Sequence, residues 1–160
     1  MTSPASVESD LGWALGTVMR SYRRVAEEAV ADLPGGPRGY QVLSSAARGN
    51  AGSQLAMAQR LGVDRTVMTY LLDDLEKAGL VERKPDPADR RARRVVLTEA
   101  GRARLCDVER RLHRVEEHVL GPLEPAERDT LRTLLRRVAV ASGEEHGDAC
   151  KVAAEELDRC

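Results

Sequence analysis

From Leu11 onward, apolar residues fall at Leu11, Leu15, Val18, Tyr22, Val25 and Ala29, a 4-3-4-3-4 spacing that gathers them on one side of a helix. The pattern predicts a long amphipathic helix reaching about Leu33. Pro34-Gly35-Gly36-Pro37 ends it, because proline has no N–H to donate and glycine accepts a left-handed exit. A short helix follows from about Tyr40 to Ala47, then a loop at Gly49-Asn50-Ala51-Gly52. Ser53 stands where an N-cap belongs, ahead of a helix over Gln54 to Leu61, and Asp64 does the same for a helix reaching about Ala78, which Gly79 closes.

The period then changes. Leu80 to Lys84 and Arg93 to Leu97 read as short strands, with Val95 and Leu97 on one side and Arg94 and Val96 on the other. Between them, Pro85-Asp86-Pro87-Ala88-Asp89-Arg90-Arg91 is turn chemistry, so the pair forms a β-hairpin. Thr98 caps a long helix with the apolar beat Leu105, Val108, Leu112, Val115 and Val119. Pro122 and Pro125 separate it from a last helix carrying Leu131, Leu134, Leu135, Val138 and Ala141.

Helix, helix, tight turn, helix, hairpin is the order of a winged helix-turn-helix. The turn also has the side chains that geometry requires. Ala58 is small where two helices cross, and four positions later Gly62 tolerates positive φ in the turn. Met57, Leu61, Val63, Met68 and Leu71 occupy the expected buried positions, and all are apolar. The predicted fold is mainly α with a small β wing: a winged helix-turn-helix lobe with N- and C-terminal helices forming a dimerisation domain. Residues 1–36 would be the N-terminal dimerisation helix, 37–98 the DNA-binding lobe, 99–143 the C-terminal dimerisation helices and 144–160 an acidic tail.

With Met68, Leu71, Leu72 and Leu75 turned inward, the second helix of the motif leaves Arg65, Thr66, Thr69 and Tyr70 toward solvent, near the end that enters a major groove. Arg65 can donate two hydrogen bonds to guanine, and Thr66 and Thr69 can bond phosphate or touch a thymine methyl. Tyr70 either contacts phosphate or packs on the wing. Asp73 reads as a solvated residue or an i,i+4 partner for Lys77. Arg90 and Arg91, at the tip of the wing, suit a narrow minor groove.

Charge sharpens this picture. The whole chain is nearly neutral at −1, yet residues 34–94 hold 11 basic against 7 acidic residues, while residues 142–160 hold 2 against 6. A basic segment in a neutral protein suits an anionic partner, here double-stranded DNA. The outer helices carry more apolar length than one small lobe covers, so a homodimer is expected, reading pseudo-palindromic DNA with half-sites roughly 10 bp apart.

Two runs, Leu61-Gly62-Val63-Asp64-Arg65-Thr66-Val67-Met68-Thr69 and Leu75-Glu76-Lys77-Ala78-Gly79-Leu80-Val81-Glu82-Arg83, resemble the MarR family of bacterial regulators. So do Asp86-Pro87-Ala88-Asp89-Arg90-Arg91-Ala92 and Val96-Leu97-Thr98-Glu99-Ala100-Gly101. The resemblance is close over about Tyr40 to Gly101 and departs at Ala56, where the family usually carries an acidic residue. It implies a triangular homodimer, Asp89 bracing the wing, Arg91 in the minor groove, and a repressor released by a small aromatic or phenolic ligand. A cytoplasmic location is expected separately, from the lack of a membrane-spanning run or signal peptide. The residues placed to bind such an anion are Trp13, Met19, Arg20 and Tyr40, with Trp13 stacking and Arg20 pairing a carboxylate. The plainer alternative is that Trp13 and Tyr40 are simply interface core.

Other classes find little support in the sequence. There is no phosphate-binding loop and no nucleophile–base spacing, so no enzyme is expected. His113 and His118 stand about 140° apart on their helix and do not converge, so no metal and no cofactor is expected. No run of apolar residues is long enough to span a membrane. Cys106 reads as an inert buried thiol. Cys150 and Cys160 leave open a redox-responsive regulator, and the fold alone leaves open a winged-helix protein-interaction module.

Overall fold

The computed structural model describes residues 10–49, 52–89 and 91–141. Arg90, Cys150, Cys160 and the acidic tail lie outside the described residues. In order, the elements are α1 (Leu11–Ala29), α2 (Pro37–Ala47), α3 (Gln54–Arg60), α4 (Arg65–Lys77), β1 (Val81–Pro85), β2 (Arg93–Leu97), α5 (Glu99–Val119) and α6 (Pro125–Ala141).

Local chemistry sets most of these boundaries. The Ser53 hydroxyl accepts from the Ala56 N–H at 3.2 Å, and the Thr98 hydroxyl from Gly101 N–H at 2.9 Å. The Asp64 carboxylate accepts from Thr66 N–H at 2.8 Å and Val67 N–H at 3.4 Å, which holds its pKa below the ordinary carboxylate value. Pro37 starts α2 earlier than the apolar pattern suggests, because its fixed φ suits the first helical position, where no N–H is needed.

The end of α1 differs from expectation. The helix stops at Ala29 rather than near Leu33, and turns follow, closed by Leu33 N–H to Val30 O at 3.0 Å and Gly36 N–H to Leu33 O at 2.8 Å. Val30 and Leu33 are both buried, so tightening the chain here folds two large apolar side chains inward.

The core of the lobe is aliphatic. Leu33, Val42, Leu43, Met57, Ala58, Met68, Leu71, Leu72 and Leu75 pack with Leu80, Val81, Val95, Leu97 and Leu105. In the hairpin, β1 and β2 pair antiparallel with Val81 opposite Leu97 and Arg83 opposite Val95, so Val95 and Leu97 turn inward as their alternation requires. By contrast, neither α1 nor α6 buries a single described residue. Leu11, Leu15 and Val18 on α1, and Leu134, Leu135, Val138 and Val140 on α6, are exposed. No helix among the described residues is long and apolar enough to cross a membrane.

An ion-pair network ties the segment after α1 to the long helix α5. The Asp32 carboxylate faces Arg104 at 2.7 Å and Arg111 at 3.0 Å, and Asp107 faces Arg111 at 2.7 Å. Hydrogen bonds from Arg104, and then from Arg111, lower the pKa of Asp32. A depressed carboxylate pKa contributes stability above its unfolded value, and that contribution is lost as pH falls through the folded value. The Tm of Asp32→Asn should therefore fall less than that of the wild type between about pH 5 and about pH 3. Thermal melts across that range check this, and parallel curves for the two proteins would refute it.

Candidate nucleic-acid interface

The first turns of α4 stand beside the wing. Met68, Leu71, Leu72 and Leu75 are buried, which fixes the rotation of α4 and leaves Arg65, Thr66 and Tyr70 exposed. Tyr70 is 67% exposed. The turn before α4 follows the expected plan. Ala58 is buried at the crossing, Gly62 takes φ 61°, and the Val63 N–H reaches Ala58 O at 2.9 Å.

A cleft of about 410 Å³ separates α3 and the start of α4 from the wing. Arg65 and Thr69 line it on the α4 side, Ser53 and Gln54 on the α3 side, and Asp89, Arg91 and Arg93 on the wing side. Three arginines against one aspartate make it a basic groove. At the wing, the Asp89 carboxylate accepts from Arg91 N–H at 2.9 Å, and its carbonyl accepts from Ala92 N–H at 2.9 Å. These two bonds close the turn that carries Arg91. Arg90 falls outside the described residues.

Asp73 does not pair with Lys77. Its carboxylate meets Arg83 on β1 at 2.5 Å, and the Arg83 Nε and Nη2 also donate to Glu76 at 3.0 and 2.6 Å. The Arg83 backbone N–H adds a third bond to Glu76 at 3.1 Å. These bonds hold the Glu76 carboxylate below its ordinary pKa and raise that of Arg83. Arg83 thus clamps the wing to the C-terminal half of the recognition helix. It also offsets the negative charge of two carboxylates at that end of α4.

The four residues expected to bind a small ligand are not drawn together as a group. Trp13, Met19 and Arg20 are exposed on α1, where Trp13 and Arg20, seven apart, share a face and Met19 lies about 120° from Trp13. The Arg20 guanidinium donates to the Thr17 hydroxyl at 3.0 Å. Tyr40 packs instead against the core of the lobe, and burial, with the negative charge of Glu109 next, pushes its phenol up to about 12. Its polar surroundings are Ser44, Arg48, Glu109 and Tyr22. Arg48 donates to Ser44 at 2.9 Å while its Nε is buried with no partner among the described residues. The i, i+4, i+8 spacing of Tyr40, Ser44 and Arg48 carries that stripe in the sequence, whereas Glu109 arrives from α5. No group of metal-ligating side chains occurs among the described residues. Cys106 is half-buried and disulfide-bonded, not the inert buried thiol its position suggests.

Residues 41–92 match the family model described as the MarR family, a segment that runs from α2 through the wing turn. Beyond it, a mutant MarR from E. coli superposes with a TM-score of 0.69 at 28% identity, covering 81% of this chain and 96% of that one. Residues 41–92 are a MarR-family segment. CouR, described as a transcriptional repressor and solved on a 23-mer DNA duplex, is similar at 29% identity with a TM-score of 0.64, covering 87% of this chain and 99% of its own. The structure of CouR from Rhodococcus jostii RHA1 bound to p-coumaroyl-CoA gives a TM-score of 0.62 at 29% identity, covering 86% and 96%.

Proposed function

We propose that this chain is a sequence-specific DNA-binding transcriptional regulator: a homodimeric repressor of a pseudo-palindromic operator, released by a small aromatic or phenolic anion. The observation that carries the DNA reading is the basic cleft, with Arg65 on the first turn of α4 and Arg91 on the wing at its two walls. Arg65 and Thr66, with Tyr70 behind them, enter the major groove, and Arg91 reaches the adjoining minor groove. The similar CouR, solved on a DNA duplex, supports DNA as the partner.

The exposed apolar faces of α1 and α6 support the dimer, since Leu11, Leu15, Val18, Leu134, Leu135 and Val138 lose most of their contact with water only against a second copy. The CouR complex with p-coumaroyl-CoA supports a ligand-responsive regulator. In this chain Arg20 supplies the cation for an anionic ligand and Trp13, on the same face of α1, an aromatic surface, whereas Met19 and Tyr40 stand apart from that pair.

Selection of bound fragments from a sheared genomic library tests the reading. Enrichment of a short inverted repeat is expected. A salt-sensitive background with no enriched sequence would move a protein partner to the front.

A further inference from the structure

Thr69 stands in the basic cleft among the residues expected to touch DNA, yet its hydroxyl is already engaged inside the protein. Oγ1 donates to the Arg65 carbonyl at 2.9 Å and accepts from Gln54 Nε2 at 3.1 Å. A hydroxyl has one proton, and this one is directed at Arg65, so none is left for a phosphate oxygen. The same fact orients Gln54. Only a lone pair of Thr69 faces it, so the amide must present an N–H there. One further N–H and the carbonyl oxygen of Gln54 remain unassigned.

Two features place that spare N–H. Gln54 lines the cleft with Arg65, Arg91 and Arg93. It is also the first residue of α3, next to Ser53, whose backbone bridges Arg94 on β2, so its position is set by the recognition helix on one side and the wing on the other. In a helix-turn-helix the first helix of the motif crosses the sugar–phosphate backbone while the second enters the groove. A donor on α3 therefore meets a phosphate oxygen rather than a base edge.

We infer that Gln54 is a further DNA-contacting residue. One of its N–H groups donates to a backbone phosphate and the other holds Thr69, which makes Thr69 a positioning residue for the first turn of α4 and for Arg65. This inference rests on the DNA-binding reading above.

The test is fluorescence anisotropy of the full chain on the selected duplex and on a scrambled duplex of equal length. The proteins are wild type, Gln54→Ala, Thr69→Val, Thr69→Ser and the Gln54→Ala/Thr69→Val double variant, each with its Tm recorded. Gln54→Ala should weaken binding about fivefold on both duplexes alike, the mark of a lost phosphate contact. Thr69→Val should weaken the selected duplex by a similar factor. The double variant should lose no more than the worse single variant, because both break one unit. Thr69→Ser, which keeps the hydroxyl, should bind as wild type. Unchanged affinity in Gln54→Ala, a loss confined to one base pair of the operator, or multiplying losses in the double variant would each overturn the inference. Failure of the wild type to prefer the selected duplex would instead overturn the regulator reading itself.

Discussion

Gly101→Ala is expected to destabilise the protein by about 3 kcal/mol, despite adding a better helix former to the first turn of α5. A Cβ at Gly101 would lie 1.9 Å from the carbonyl oxygen of Leu80 and 2.9 Å from its carbonyl carbon. Both are backbone atoms and cannot swing aside as a flexible side-chain end would. The Leu80 oxygen also accepts from Thr98 N–H at 3.1 Å, and the Thr98 hydroxyl donates to Gly79 O at 2.6 Å. The end of α4, the start of β1, the end of β2 and the start of α5 are therefore knotted at one point. Room for a methyl group means parting α5 from Leu80 and loosening the apolar contacts of Leu80, Leu97 and Leu105. The helix-propensity gain of about 1 kcal/mol is smaller than the overpacking cost. For a chain of this size the Tm should fall by roughly 10 °C. Gly62→Ala makes the contrast: Gly62, unlike Gly101, takes positive φ and has open space around it, so its cost is about 1 kcal/mol of backbone strain. A Tm for Gly101→Ala at or above that of the wild type would show that α5 does not pack on Leu80 as described.

Arg65→Ala is expected to cost the largest share of operator affinity, about 10- to 100-fold, with little change in Tm. Arg65 is exposed at the first position of α4, and the Asp64 cap and the Thr69 bond to its carbonyl fix its backbone. Its loss should also relax preference at one base pair of each half-site, because a bidentate guanidinium reads guanine by its paired acceptors. Titration against operators carrying each base at that pair checks this. Uniform weakening across all four would assign Arg65 to phosphate.

Much of this architecture was legible because the governing chemistry is local. Ser53, Asp64 and Thr98 cap helices a few residues away, and all three bonds are present. The alternation of Val95 and Leu97 placed the hairpin, and the spacing of Ala58 and Gly62 placed the turn. Where pairing crosses elements, the sequence carried no comparable signal. Asp73 has Lys77 four positions away, but Arg83 approaches from β1 with three donors already aimed at that end of α4. The Gln54–Thr69 bond spans 15 positions and joins two helices, so nothing along either one announces it. The early end of α1 has a related cause. Val30 and Leu33 continue the apolar pattern, but their burial in the lobe outweighs another turn of helix.

The central claim is that α4 and the wing address DNA as one basic surface, and the salt dependence of binding to the selected duplex tests it most directly. Affinity of the wild type should fall steeply and linearly with log salt, and Arg91→Ala should reduce that slope by about one unit. An affinity insensitive to salt, or a slope that Arg91→Ala leaves unchanged, would contradict it.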